Sequence, residues 1–229
     1  MRVFAIGDVH LSQQTQNKSM DKFGPSWENH VQKLCDAWQA EIASDDLVLI
    51  PGDISWAMSL GAAMADLELL ASLNGQKVLL RGNHDYWWSS YQKVLDSLPS
   101  GMYAIQNNAL RFANIAIGGT RGWLLPESSG YSEKKDAKIY ARELDRLGLT
   151  LSALPRDTEN IIMLHYPPFS DKGQPSQFVD LLEQAPVSHV VYGHLHGRGH
   201  SGAFEGVRNG ITYHFVSSDY LSFIPKRIL

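Results

Sequence analysis

Cysteine is almost missing from this 229-residue chain. Cys35 is the single one, so no intrachain disulfide can form, which suits a reducing compartment. Long apolar runs are missing too. Nothing approaches the roughly 18 consecutive apolar residues of a membrane span. The opening "MRVFAIGDVH" has too short an apolar stretch for a secretory signal and no small-residue cleavage site. These absences lead to the expectation of a cytoplasmic protein with no membrane partner. Charge of one sign is also lacking: 20 Lys and Arg stand against 24 Asp and Glu, a net of −4. Such a balance exerts no long-range pull on nucleic acid or anionic lipid. No repeat, low-complexity tail or linker-like break is visible, so residues 1–229 read as one domain.

What is present is a core. Hydrophobic residues make up 44% and charged residues 19%, the balance of a globular chain with a sizeable interior. Five short runs, "RVFAI", "LVLI", "KVLL", "NIIML" and "SHVVY", are rich in Val, Ile and Leu and show no polar alternation. That is the pattern of strands buried on both faces, under helices. Helical periodicity predicts one helix from Trp27 to Ile42 with Ser26 as N-cap. Its stripe includes Cys35 between Val31, Leu34 and Trp38, the setting of a core thiol rather than a nucleophile. Further helices are predicted over Met58 to Leu73, Tyr86 to Leu98 and Glu133 to Leu151. Three segments between Met102 and Thr120 read as hairpin strands. "GAFEGV" and "TYHFVS" read as a closing hairpin around Asn209-Gly210. The polar segment Ser12 to Phe23 reads as a mobile loop or a substrate lid. The fold class that emerges is α/β, two packed mixed sheets with helices outside.

Polar residues fall in one telling place. Each buried run is followed at once by possible metal ligands: Asp8 and His10, then Asp53, then Asn83, then His165, then His194 and His196. In open α/β sheets, sites form beyond the carboxyl ends of strands, so these seven should converge. They offer imidazole nitrogen and carboxylate or amide oxygen, and no sulfur. That set suits Mn, Fe, Zn or Co. Seven groups are too many for one zinc ion, which takes three or four. Two ions bridged by a carboxylate fit better. Asn83 would then be a neutral oxygen ligand that avoids excess negative charge.

In order, "GDVH", "PGD", "RGNHD", "LHYPPF" and "YGHLHG" resemble the motifs of the calcineurin-like metallophosphoesterases, from Asp8 to His196. The resemblance implies a four-layer αββα double β-sandwich. It implies one divalent ion on Asp8, His10, Asp53 and His196, and a second on Asp53, Asn83, His165 and His194, with Asp53 bridging. It implies hydrolysis of a phosphoester by hydroxide generated at the metals. His84 would contact the phosphate and protonate the leaving oxygen, with Asp85 supporting the loop or orienting His84. The segment "GDISWAM" lacks the longer motif of protein Ser/Thr phosphatases, and His84 stands where lipid-precursor pyrophosphatases have Arg. A phosphodiesterase or phosphatase acting on small nucleotide-like or similar esters is therefore expected. The competing readings are a nuclease and a non-catalytic scaffold on the same fold, as in a retromer subunit that has lost several ligands. Arg121 and Arg198 are candidate substrate contacts, as grips for phosphate. Trp87 and Trp123 read as ordinary packing, and His30, His189, His200 and His214 as structural or surface residues.

Overall fold

In a computed structural model, which describes residues 1–14 and 20–229, the chain forms eleven strands and five helices among the described residues. In order these are β1 (Val3–Ala5), α1 (His30–Glu41), β2 (Leu47–Pro51), α2 (Leu60–Ser72), β3 (Gln76–Leu80), α3 (Tyr91–Ser97), β4 (Met102–Ile105), β5 (Asn108–Phe112), β6 (Ile115–Thr120), α4 (Glu133–Ser152), β7 (Glu159–Leu164), α5 (Gln177–Leu182), β8 (His189–Tyr192), β9 (Gly206–Arg208), β10 (Ile211–Phe215) and β11 (Lys226–Arg227).

The strands make two mixed sheets. One has the order β11-β1-β2-β3-β4 and the other β5-β6-β7-β8-β10-β9. Three apolar clusters separate the layers. Leu47, Leu49, Val78, Leu80, Ile161 and Met163 fill the space between the sheets. Their neighbours Val48, Ile50 and Leu79 point the other way, against Leu34 and Trp38 of α1 and Leu67 and Leu70 of α2. Ile162 and Leu164 likewise face Tyr140 and Leu147 of α4 and Phe178 of α5. Successive side chains of a strand alternate between faces, and here both faces are covered. The unbroken apolar runs follow directly, and the architecture is αββα.

Several boundaries differ from the expectation, each for a local reason. The first helix begins at His30, not Trp27, because Asn29 takes a left-handed conformation (φ 54°) and Trp27 lies in a short 3-10 turn over Pro25–Trp27. Ser26 caps nothing. Ser59 caps α2 by accepting from the Ala62 N–H, so Met58 lies outside. The expected Tyr86 to Leu98 helix shrinks to α3, since Ser90 caps at the Lys93 N–H and Trp87 and Trp88 turn into the core. Of the expected hairpin strands, only β5 and β6 pair antiparallel. β4 joins the other sheet, parallel to β3, so the chain crosses between sheets at Gln106-Asn107. The Asn209-Gly210 turn does close a hairpin, with both residues at positive φ. Of the Ser12 to Phe23 segment, residues 15–19 lie outside the described residues, and Met20–Phe23 forms a 3-10 turn with Met20 buried. No helix among the described residues is long and apolar enough to cross a membrane.

Candidate metal centre

The seven side chains meet at the carboxyl-end rim shared by the two sheets, near β1, β2 and β3 of one sheet and β7 and β8 of the other. Asp8, His10 and His196 form one tight group, and Asp8, Asp53 and His165 form another. In each, the possible ligand atoms lie within 4.8 Å of one another. Asp53 also faces both ways: one carboxylate oxygen is 3.8 Å from His10 Nε2 and the other 3.6 Å from His165 Nε2. Asn83 Oδ1 lies 2.6 Å from His165 Nε2 and 2.9 Å from His194 Nδ1. All seven sequence-predicted groups are thus brought together.

The backbone is bent to achieve this. Asp8, His10, Asp53 and His194 all have positive φ, between 46° and 76°. Non-glycine residues avoid that region, and strain of this kind persists where the surroundings impose it, often at functional sites. Glycines make room for the bend. A Cβ at Gly82 would run into the Asp53 carboxylate, and one at Gly193 into that of Asp8.

The donor chemistry fits cations. His165 is fully buried, and burial holds its imidazole down to about 3, so the ring is neutral. Its Nδ1 donates to the Pro51 carbonyl at 3.0 Å, which leaves Nε2 a bare acceptor. That acceptor faces the Asn83 oxygen and, at 3.2 Å, the His194 Nδ1. The Asn83 oxygen and His165 Nε2 are both acceptors, and a pair held at 2.6 Å repels unless a positive charge bridges it. Burial, reinforced by Asp53, also pushes the Asp8 carboxyl up, to about 7, against the pull of His196. Burial likewise raises Asp53 and lowers His10 and His194. Two carboxyl groups buried beside His10, His165 and His194, which burial holds neutral, form a site whose negative charge divalent cations would balance. The first group would hold one and the set around Asn83 the other.

An outer ring of partners orients these groups. Asp219 accepts from His196 Nδ1 at 2.9 Å and lies 3.0 Å from His200 Nε2. Ser217 donates to Asp8, as does the His194 N–H. Sequence reasoning missed Asp219 and Ser217. The signal was available, because Ser217, Ser218 and Asp219 follow β10 just as the other polar groups follow their strands. His200, read as structural or surface, thereby joins the outer ring.

His84 stands beside the centre. Its ring lies 5.9 Å from that of His10 and 4.6 Å from that of Trp56, and its Nδ1 is buried without a hydrogen-bond partner. Asp85 does not touch the His84 ring. Its two oxygens accept from the N–H groups of Gly82, Ile54 and Ser55 and from the Trp87 indole. It ties the Asn83-His84 loop to the loop carrying Asp53. Trp87 is buried, in keeping with its packing role.

Two cavities flank the centre. One of about 460 Å³ runs past His194 between Trp123, Leu125, Tyr166 and Phe169, with Arg198 at its edge. The other, of about 390 Å³, lies past His10, His84 and His196 under Trp27, Trp56 and Phe23. Trp123 therefore forms a wall of a cavity as well as packing. Arg121 lines neither. Its guanidinium lies 4.4 Å over the Trp123 ring, and the side chain lines a different cavity.

Comparison with known proteins agrees with this geometry. The model of the family described as calcineurin-like phosphoesterase matches residues 1–198. No curated protein matches significantly. Among solved structures, phosphopantetheinyl hydrolase from Mycobacterium tuberculosis has a TM-score of 0.61 at 15% identity, covering 100% of this chain and 95% of that one. The protein TT1561 from Thermus thermophilus has a TM-score of 0.50 at 16% identity, covering 85% and 82%. These likenesses speak to the fold alone. With five motifs spread from Asp8 to His196 and a family match over most of its length, the chain belongs to the calcineurin-like phosphoesterases and is a metal-dependent phosphoesterase.

Proposed function

We propose that the substrate is a small phosphodiester, bound with its phosphate over two divalent ions and one organic arm in each flanking cavity. The observation that carries this reading is the pair of cavities of similar size, 460 and 390 Å³, that border different members of the seven-residue cluster, one His194 and the other His10 and His196. A monoester has one organic arm and would leave one cavity without use. Each volume falls within the roughly 300–1,000 Å³ that suits a small ligand.

When bound, the cations supply a water acidic enough to act as nucleophile near neutrality and neutralise charge on the phosphoryl oxygens. The protein's own groups do the rest. Asp53 and Asp8 span the two groups of possible ligands and set their spacing. His84 lies on the wall of the 390 Å³ cavity, so the leaving alcohol is assigned there, and the imidazole gives it a proton as the phosphorus–oxygen bond breaks. Trp56, beside His84, packs on that arm. The retained arm lies along Trp123 and Tyr166, whose rings are 5.3 Å apart, with Arg198 at the mouth. The rim is built from both sheets, which supports reading residues 1–229 as one domain.

The test is a comparison of bis-p-nitrophenyl phosphate with p-nitrophenyl phosphate on manganese-loaded protein. The expected result is a kcat/KM at least tenfold higher for the diester, with Trp123→Ala raising KM for diesters and not for the monoester. A preference for the monoester, or no turnover of either with two ions bound, would overturn the reading.

A further inference from the structure

Four arginines converge a short way along the same rim. Arg81 follows β3, Arg121 follows β6, and Arg142 and Arg146 project one turn apart from α4. With Thr120 and Gln106 they line a cavity of about 170 Å³ that shares no lining residue with the two at the metal centre. A single carboxylate opposes them. Glu143 is fully buried, and its oxygens are taken by the Thr120 hydroxyl and by Arg146, each at 2.6 Å. Among the described residues, Arg81, Arg121 and Arg142 have no ion pair, and the Nε atoms of Arg81 and Arg121 are buried with no hydrogen-bond partner.

Like charges brought together without counter-ions cost free energy, and buried donors left without acceptors cost more. We infer that this cavity is a second oxyanion site, which takes one phosphate-sized, multiply charged group through the guanidiniums of Arg81, Arg121, Arg142 and Arg146. Guanidinium forks match the paired oxygens of phosphate and sulfate. The volume is well below the roughly 300 Å³ lower bound for small-molecule pockets, so a single tetrahedral anion fits and a nucleotide does not. The anion would also bear on the centre. Arg81 is two residues from Asn83, and the Arg121 carbonyl accepts the N–H groups of both His165 and Tyr166. The group could be free inorganic phosphate or a terminal phosphate carried by the substrate. Both present the same chemistry.

The site is tested on the full-length, manganese-loaded protein. Crystals soaked in sodium tungstate should show an anomalous peak among the four arginines, separate from any at the metal centre. Equilibrium binding of inorganic phosphate should give two sites per chain. Arg142→Glu, on an exposed part of α4, should weaken one of them at least tenfold and leave metal content unchanged, and Arg121→Met should do the same. Kinetics then separates the two sources. If the site holds a substrate phosphate, Arg142→Glu raises KM about tenfold for diesters that carry a terminal phosphate and leaves simple diesters unaffected. If it holds free phosphate, KM is unchanged for both while the second phosphate is lost. Absence of tungstate from the cavity, with phosphate binding unchanged in both variants, would overturn the assignment. Hydrolysis is not needed for the binding readouts, so they stand or fall separately from the choice of substrate.

Discussion

The Nε2 of His165 stands 2.6 Å from the Oδ1 of Asn83, one acceptor against another. Pro51 causes this, because its carbonyl takes the only proton of the His165 ring, on Nδ1. The fold therefore spends free energy to hold a lone pair aimed at an amide oxygen. Asn83 and His165 would together hold a cation, whose charge would offset that repulsion. This pair explains why an asparagine follows Gly82, where a general base or nucleophile would have little use for it.

Metal uptake should release protons. Without metal, burial holds Asp8 protonated up to about pH 7 and raises Asp53 as well. For His196, burial works the other way, but Asp219 and Asp8 outweigh it and raise its affinity for a proton. The metal-bound form needs all three deprotonated, so affinity should climb as pH rises toward 7 and level off above it. His10, His165 and His194 are already neutral in that range and contribute little. Calorimetry in buffers of differing ionisation enthalpy measures the protons released. Proton-neutral binding at about pH 6 would count against these assignments.

Asp219→Asn should weaken metal binding or activity by about 10–100-fold, the usual effect of losing a carboxylate behind a ligating histidine. It also removes the negative charge that lies 3.0 Å from His200 Nε2. The fold should survive, so circular dichroism and melting temperature stay near the parent values while metal titration shifts. An unchanged titration would show that His196 needs no support.

His84→Ala should keep its metals and lose about 10²–10⁴-fold in kcat. The loss should be greatest for diesters with poor leaving groups and least for nitrophenolate, which departs without a proton. A uniform loss across a leaving-group series would rule out proton donation by His84.

Gly193→Ala tests the geometry from the backbone side. The added methyl meets the Asp8 carboxylate, so the variant should lose about 1–3 kcal/mol of stability, as overpacking does. It should also bind metal more weakly. Chemical denaturation with and without manganese reads both effects.

Much of this was legible in the sequence because buried strands and their polar ends leave a simple record. Leu47 to Pro51 and Glu159 to Leu164 are covered on both faces, so their apolar runs announced the sandwich, and the residues after them announced the rim. Helix starts were less legible. Asn29 in a left-handed conformation ended the expected Trp27 helix, and a local cap at Ser90 overrode the periodicity after Tyr86. The assignment of β4 to the first sheet was illegible, because short strands with similar patterns pair according to long-range packing. Arg81, Arg121, Arg142 and Arg146 come together only in three dimensions. Nothing in their spacing connects them.

The central claim is that two cations share the carboxylate of Asp53. Anomalous diffraction at the manganese edge from manganese-soaked crystals tests it most directly. Two peaks roughly 3.5–4 Å apart are expected, one against His10 and His196 and the other against Asn83, His165 and His194. A single peak, or two peaks with no carboxylate between them, would contradict it.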